Sequence, residues 1–436
     1  MGNRRLFLLL APAAITLSLS LLISACSKSS SSPTGPGGTG GMITVTGKVI
    51  GINNQPVPSV PVLIKGLPSV NTDANGSFTI PNVTTPYSIA VVDGTNNRAL
   101  VYRGLTRPDP TLFWPGVTPG TSHTASVSGS LLPWTAIAPG TKTTAGAAFV
   151  STETSASTTP NLTSGAFTIA ANWYGAASTT TGSVYALVWD YDANNLPTTF
   201  SKFGKRSNVS LLDGTTNANQ NDTLGTAQTA QLSGTVNVAS GYTLMTRTLS
   251  AVFDSKGGIP VLSDNTAIPN FTYNTPNVSG ATVSLVVSAS KTGSGNVETF
   301  TSGLAVNKTG VTVNVPAAPE LSLPVNNATG ITTGSPFSWT PLSGGVHLLE
   351  FNPAVAGQPR LSVITMATSD SIPDLSSAGL TLPKGATYTW FLEAVAPFAS
   401  IDAAAGPAGI AGFVTGPNSY TGSYARTATR SFTTAP

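Results

Sequence analysis

The side chains that usually carry chemistry are scarce in this chain: among 436 residues there are one cysteine, two histidines and 17 carboxylates. His123 and His347 lie far apart, and neither has an acid beside it in sequence. A zinc site or a histidine-based triad needs several such groups to converge. No H-E-x-x-H, G-x-S-x-G or P-loop pattern occurs. Hydrolysis by a carboxylate pair would need two acids facing one another in a cleft, and the acids are scattered along the chain. The reading is a non-catalytic protein with no cofactor. Two loops carry calcium-like groups. Asp190, Asp192 and Asn194 have a 1-3-5 spacing, but Asn195 stands where such loops keep glycine and Ser201 where they keep glutamate. The Asn/Asp-rich loop from Asp213 to Asp222 is the other. Both are expected to be polar turns rather than metal sites.

Aromatic rings are the better hint of recognition, because flat rings stack on sugars or anchor protein contacts. Trp114, Trp134 and Tyr174 are candidates for exposed rings. Tyr185, Leu187, Trp189 and Tyr191 share one face of an alternating strand. Their counterparts in a second, similar stretch are Val283, Leu285 and Val287, opposed by Ser284 and Ser288. Tyr185 and Trp189 are therefore expected on the inward side of their own sandwich. The long segment Pro397–Tyr424 holds Phe398, Phe413, Tyr420 and Tyr424 and is the first choice for a recognition surface.

The elements that position these groups are short runs of Val, Ile, Thr, Tyr and Phe. They are separated by Gly, Asn, Pro and Asp turns every 8–12 residues, the pattern of all-β sandwiches. Only 8% of residues are charged, with 44 Gly and 33 Pro. The fold class is all-β, tandem antiparallel β-sandwiches of prealbumin-like and immunoglobulin-like type after a leader and linker. Six segments are expected: a leader, 1–25; a Ser/Gly/Pro linker, 26–42; and four sandwiches, 43–119, 120–226, 227–318 and 319–436. The second and third look related. Ser126–Ser130 recurs as Ala230–Val236, Gly182–Trp189 as Gly280–Val287, and Asn208–Leu211 as Gly310–Val313.

The leader has Arg4 and Arg5, an apolar stretch from Leu6 to Ile23, and then Ile23-Ser24-Ala25-Cys26. Charge, apolar core and small residues in that order make a secretory signal peptide. Its last four residues resemble the lipobox of bacterial lipoproteins, which implies cleavage before Cys26 and acylation of its thiol. Ser27, where that family uses aspartate for inner-membrane retention, implies the outer membrane. An uncleaved anchor of about 18 apolar residues is disfavoured by the small residues and polar linker. The twin-arginine reading of Arg4-Arg5-Leu6-Phe7-Leu8 is disfavoured by the strongly apolar core. Without Arg4 and Arg5 the 20 basic residues fall to 18, against 17 acidic. With no Lys/Arg cluster, nucleic acid is excluded as a partner.

Two further resemblances concern the ends of the mature chain. Val45–Val49, Pro56–Ile64 and the hairpin Thr72-Asp73-Ala74-Asn75-Gly76-Ser77-Phe78 resemble the carboxypeptidase regulatory-like domain, a non-catalytic accessory sandwich. Phe337–Pro341, Leu382–Trp390 and Arg430–Thr434 are similar to a bacterial fibronectin type III domain, whose conserved tyrosine hydroxyl bonds to the backbone; Tyr388 falls there. The expectation is a lipid-anchored envelope protein, at the outer membrane and surface-exposed, whose sandwiches serve adhesion, matrix attachment or assembly with other envelope proteins. Its membrane partner is reached through the N-terminal lipid. The alternative is a carbohydrate-binding surface lipoprotein, which requires exposed Trp or Tyr rings.

Overall fold

A computed structural model describes residues 41–114, 121–415 and 420–436; the leader, Cys26 and nearly all of the linker lie outside the described residues. The fold is all-β; among the described residues the helical pieces are two short α-helices, Ile401–Ala404 and Ile410–Thr415, and two single 3-10 turns, Ile52–Asn54 and Ser376–Ala378. The boundary expected at 226/227 falls between the strands Asp222–Thr226 and Gln228–Val238. That at 318/319 falls between Val311–Val315 and Leu321–Leu323. The one at 119/120 lies outside the described residues.

The four expected units are joined by more than the chain. One 14-stranded sheet runs through three of them. It passes from Gly257–Asp264, Thr243–Phe253, Ala281–Lys291 and Gly295–Leu304 of the third unit into Gly422–Thr427, Thr387–Ala396, Val346–Pro353 and Arg360–Thr365 of the last. It then continues into Arg98–Leu105, Tyr87–Asp93, Pro61–Ile64 and Val70–Asn71 of the first. Two seams carry the continuity. Gly295–Phe300 pairs antiparallel with Gly422–Thr427, and Arg360–Ile364 pairs parallel with Arg98–Tyr102. The C-terminal unit is thus wedged between the third and the first, and its sheet is buried on both faces. Leu349, Phe351, Trp390 and Leu392 face one core, while Val346, Ile364, Val395 and Tyr424 face another shared with the first unit.

The second and third units repeat one strand plan. Ser122–Leu132 pairs antiparallel with Ala166–Tyr174 and parallel with 216–217 and 222–223. Likewise Gln228–Val238 pairs antiparallel with Asn270–Asn277 and parallel with Val311–Val315. The remaining strands also match: Thr179–Tyr191 sits between Thr143–Ser151 and Pro197–Leu212, as Ala281–Lys291 sits between Thr243–Phe253 and Gly295–Leu304, although in the second unit Asp222–Thr226 links all of its strands into one eight-stranded sheet. Asn208–Leu211, however, belongs to the strand beside Thr179–Tyr191, whereas Val311–Val313 pairs in the other sheet.

Tyr185 and Trp189 are buried, but for a different reason from the one expected. The second unit's own core is lined by Val184, Ala186 and Val188 with Phe149, Ile169 and Trp173. Tyr185, Leu187 and Trp189 point the other way, into the junction with the third unit, where the Tyr185 ring stacks at 4.3 Å on Phe253. The alignment with Val283 and Leu285 is one residue out of step, and with a side-chain period of two a single step exchanges the faces. The Asn75-Gly76 turn also differs from expectation. Its flanking strands, Val70–Asn71 and Ser77–Thr84, enter different sheets, so the turn crosses the sandwich instead of closing a hairpin. Asp73 Oδ1 accepts the N–H groups of Asn75 and Ser77 and holds that corner.

Small residues allow the second and third units to approach. A Cβ on Gly257 would lie 1.9 Å from Ser155 Oγ, and one on Gly146 would lie 2.4 Å from the Ile259 side chain. Gly257→Ala is expected to lower stability by about 1–3 kcal/mol through overpacking at this junction. A thermal melt showing no decrease would mean the two units are not in contact there.

Candidate functional site

The most elaborate side-chain arrangement lies on the face of the shared sheet that the C-terminal unit turns toward the first unit. Alternation along Val346–Pro353 sends Leu349 and Phe351 to one side, and Val346, Leu348 and Glu350 to the other. The same rule places Glu393 and Val395, Arg360 and Ser362, and Tyr424 and Arg426 on that second side. Glu350 and Glu393 are 2% and 3% exposed, so each needs compensation. Glu350 Oε2 accepts from Arg360 Nη2 at 2.8 Å and Nε at 3.2 Å, and Oε1 accepts from Ser362 Oγ at 2.9 Å. Glu393 is held less tightly, with Arg426 Nη1 3.5 Å away and that guanidinium 4.1 Å above the Phe391 ring. Burial, reinforced by the negative charge of Glu350, pushes the Glu393 carboxyl up to about 7. Burial also raises Glu298, one strand beyond Tyr424 across the seam. Arg98 extends the band into the first unit, with its Nε 3.1 Å from Asp93 Oδ2 and its guanidinium 5.2 Å from the Trp114 ring centre.

Two carboxylates in one face invite comparison with a hydrolytic pair, but the space around them is water-sized. Glu393 borders a cavity of about 30 Å³, otherwise lined mainly by Phe113, Val346, Ile364, Val395 and Phe413. Glu350 borders one of about 10 Å³ beside Arg98, Trp114 and Arg360. Such volumes hold one or two waters, not a sugar ring. Chemically, this arrangement can bind a proton and order water across a joint between units.

The described parts of the segment Pro397–Tyr424, residues 397–415 and 420–424, cover this face, which corrects its reading as a free recognition surface. Phe413 and Tyr424 are buried in the core shared with the first unit, with Phe398 and Tyr420 packed half-buried beside them. Phe413 meets Phe300 of the third unit edge-on at 5.7 Å and Tyr420 at 4.5 Å, and Tyr420 donates its hydroxyl to the Ala396 carbonyl. Asp402 binds the segment to the first unit. Its Oδ1 accepts the N–H groups of Thr106 and Arg107, Oδ2 accepts the Thr106 hydroxyl, and the Ala405 carbonyl accepts the N–H of Thr111. The segment is a strap whose aromatic residues are used internally.

The remaining candidate rings are also placed differently from expectation. Trp114 is 4% exposed because its ring fills the groove between the first unit's core and Arg98. Trp134 is half-buried, packed over Gly165, and its indole N–H donates to the Leu162 carbonyl. Tyr174 is half-buried at the end of its strand. The other four tryptophans are buried, so no indole stands free as a stacking platform. At the calcium-like turn, Asp190 accepts from Thr143 Oγ1, and Asp192 Oδ1 accepts the N–H groups of Asn194 and Leu196. Among the described residues no group of three or more acids, histidines or cysteines converges as a metal site. The Tyr388 hydroxyl donates to the Pro359 carbonyl at 3.0 Å, 29 residues upstream.

Sequence reasoning missed two polar contacts and one buried acid that only folding produces. His123 Nδ1 lies 2.9 Å from Asp213 Oδ2, 90 residues away, and its ring stacks on Trp173. The hydrogen bond that Asp213 accepts from His123 raises the imidazole above its ordinary value and lowers the carboxyl. Arg247, 1% exposed, donates to Asp264 Oδ2 at 2.7 Å and to the Ile268 carbonyl at 2.6 Å, and Tyr273 donates to the same Asp264 oxygen. Asp222, 1% exposed beneath Gly204, has neither side-chain oxygen hydrogen-bonded, and burial pushes it up to about 7.

No protein-family description matches the chain, and no curated protein matches it. Among solved structures it is similar to the Bacillus anthracis TIE protein, at 9% identity and a TM-score of 0.15, over 63% of this chain and half the length of that one. It is also similar to BcpA, the major pilin subunit of Bacillus cereus, at 8% identity and a TM-score of 0.11, over 63% of this chain and 99% of that one. Likeness at that level carries no functional argument.

Two measurements check this arrangement. Asp222 and Glu393 both have folded-state values raised above the unfolded carboxyl range, so each costs stability as pH climbs from about 4 through 7. Asp222→Asn or Glu393→Gln should flatten the melting temperature's fall over that window, recovering on the order of 3–4 kcal/mol at pH 8; an unchanged pH profile contradicts the burial assignments. Asp402→Ala should cost about 2 kcal/mol and speed proteolysis within 397–424, because it leaves two backbone N–H groups without their acceptor. Equal cleavage rates in variant and parent would show that Asp402 does not fasten the strap.

Proposed function

We propose that this chain is a non-catalytic, lipid-anchored cell-envelope protein that holds a stiff β assembly away from the membrane for adhesion, matrix attachment or assembly with other envelope proteins. The observation that carries the reading is the continuity of one sheet through three units, which suits a protein whose job is to keep binding surfaces in fixed relation. Two strand-pairing seams and the strap oppose hinge motion between the first, third and last units, unlike ordinary interdomain contacts, which leave domains mobile. The Ser/Gly/Pro linker supplies flexible reach and Cys26 the attachment point. The large band of charge on the shared sheet is spent on internal pairing, which supports a structural role for it. The lipobox-like motif and Ser27 support an outer-membrane address, and the sequence motifs of the end units are what support a regulatory-like and a fibronectin-like assignment. A carbohydrate-binding role has less behind it, since no tryptophan stands free.

The expected outcome of Cys26→Ser is loss of the protein from the membrane fraction and of the acyl mass increment on the mature N-terminal peptide. Retention in the membrane fraction would refute lipid anchoring. Protease shaving of intact cells expressing the parent chain tests the surface role, and full protection would place the assembly on the periplasmic side.

A further inference from the structure

Sheet ends are where a β protein meets other β proteins, because an end strand presents a row of unpaired N–H and C=O groups. Most of the sheet ends here are blunted. Gly257–Asp264 carries Pro260 and packs on the second unit; Ser77–Thr84 carries Pro81; Val70–Asn71 is two residues long. In the third unit, the end strand Asn270–Asn277 carries Pro276, and its Asn274 side chain donates to the carbonyls of Pro197 and Thr198. The equivalent strand of the second unit, Ala166–Tyr174, has none of these devices. It is nine residues long, ends its sheet, pairs only with Ser122–Leu132, and shows no register shift. Among the described residues, no backbone group of 167–174 bonds to any other element. Its outward side chains are Ala166, Thr168, Ala170 and Asn172, and no charged residue occurs between Glu153 and Asp190.

We propose that Ala166–Tyr174 is an interaction edge whose partner is the same strand of a second copy of this chain, paired antiparallel about a two-fold axis at Ala170. The strand is its own complement. In that register Thr168 faces Asn172 and Ala166 faces Tyr174 outside, while Phe167 faces Trp173 and Ile169 faces Ala171 inside. No like charges meet, and a two-fold pairing uses the same patch on both copies. The chain already joins its own units in this way, with six register pairs at one seam and five at the other. Its near-neutral mature charge, 18 basic against 17 acidic, supplies little of the repulsion that keeps proteins monomeric. The proposal does not rest on anchoring at Cys26, and its test omits that residue.

The experiment uses residues 27–436, which contain every described strand and no cysteine. Sedimentation velocity across a concentration series should show a monomer–dimer equilibrium. Ala170→Lys, which sets a lysine opposite itself, should abolish the dimer, and Thr168→Lys should weaken it, with melting temperatures unchanged. Opposed residues in antiparallel strands have Cα atoms about 4.5–5.5 Å apart, within disulfide range, so Ala170→Cys should cross-link at least about tenfold faster than the exposed control Val355→Cys. A single monomeric species at all concentrations overturns the proposal. So does a dimer that survives Ala170→Lys, or equal cross-linking at 170 and 355.

Discussion

An open strand edge must find partners for its backbone groups, and that requirement governs the centre of this molecule. Alone, the C-terminal sandwich would expose Arg360–Thr365 on one side and Gly422–Thr427 on the other. Pairing them with Arg98–Leu105 and Gly295–Leu304 satisfies both edges and welds three units into one sheet. Everything on the enclosed face follows. Glu350 and Glu393 cannot reach bulk water there, so Arg360, Ser362 and Arg426 must answer them. The remaining apolar surface needs a cover, and the strap with Phe413 and Tyr424 is that cover.

Burial of both faces of the central sheet also accounts for the chain's composition. A strand with water on one side alternates apolar and polar residues; a strand buried on both sides reads as a nearly continuous apolar run. Val346–Phe351 and Leu361–Thr365 are of the second kind. The same economy explains the glycines between the second and third units, where backbone and side chains meet too closely for a Cβ.

Much of this was legible in the chain. Turn residues at short intervals and β-branched runs gave the all-β class, and the strands Ser126–Ser130 and Gly182–Trp189 revealed a plan that recurs. What misled was register and destination. Tyr185 and Trp189 read as inward because a residue-by-residue match was off by one. Phe413 and Tyr424 read as surface because a long loop normally carries exposed side chains, and nothing local announces that a neighbouring unit will cover it. His123 had no acid beside it in sequence, since Asp213 arrives only when two loops 90 residues apart meet.

By itself, the sequence determined what is local: strand and turn periodicity, the acyl-accepting motif at Cys26 as a resemblance, the near-neutral charge, and the shortage of histidine and cysteine. These follow from side-chain chemistry and the two-residue repeat of extended backbone. The tertiary structure alone decided which edges pair, which face of each strand is covered, and which acids are forced out of water. Those are long-range outcomes, set by backbone hydrogen bonds and packing between segments hundreds of residues apart, and one step of register is enough to reverse them.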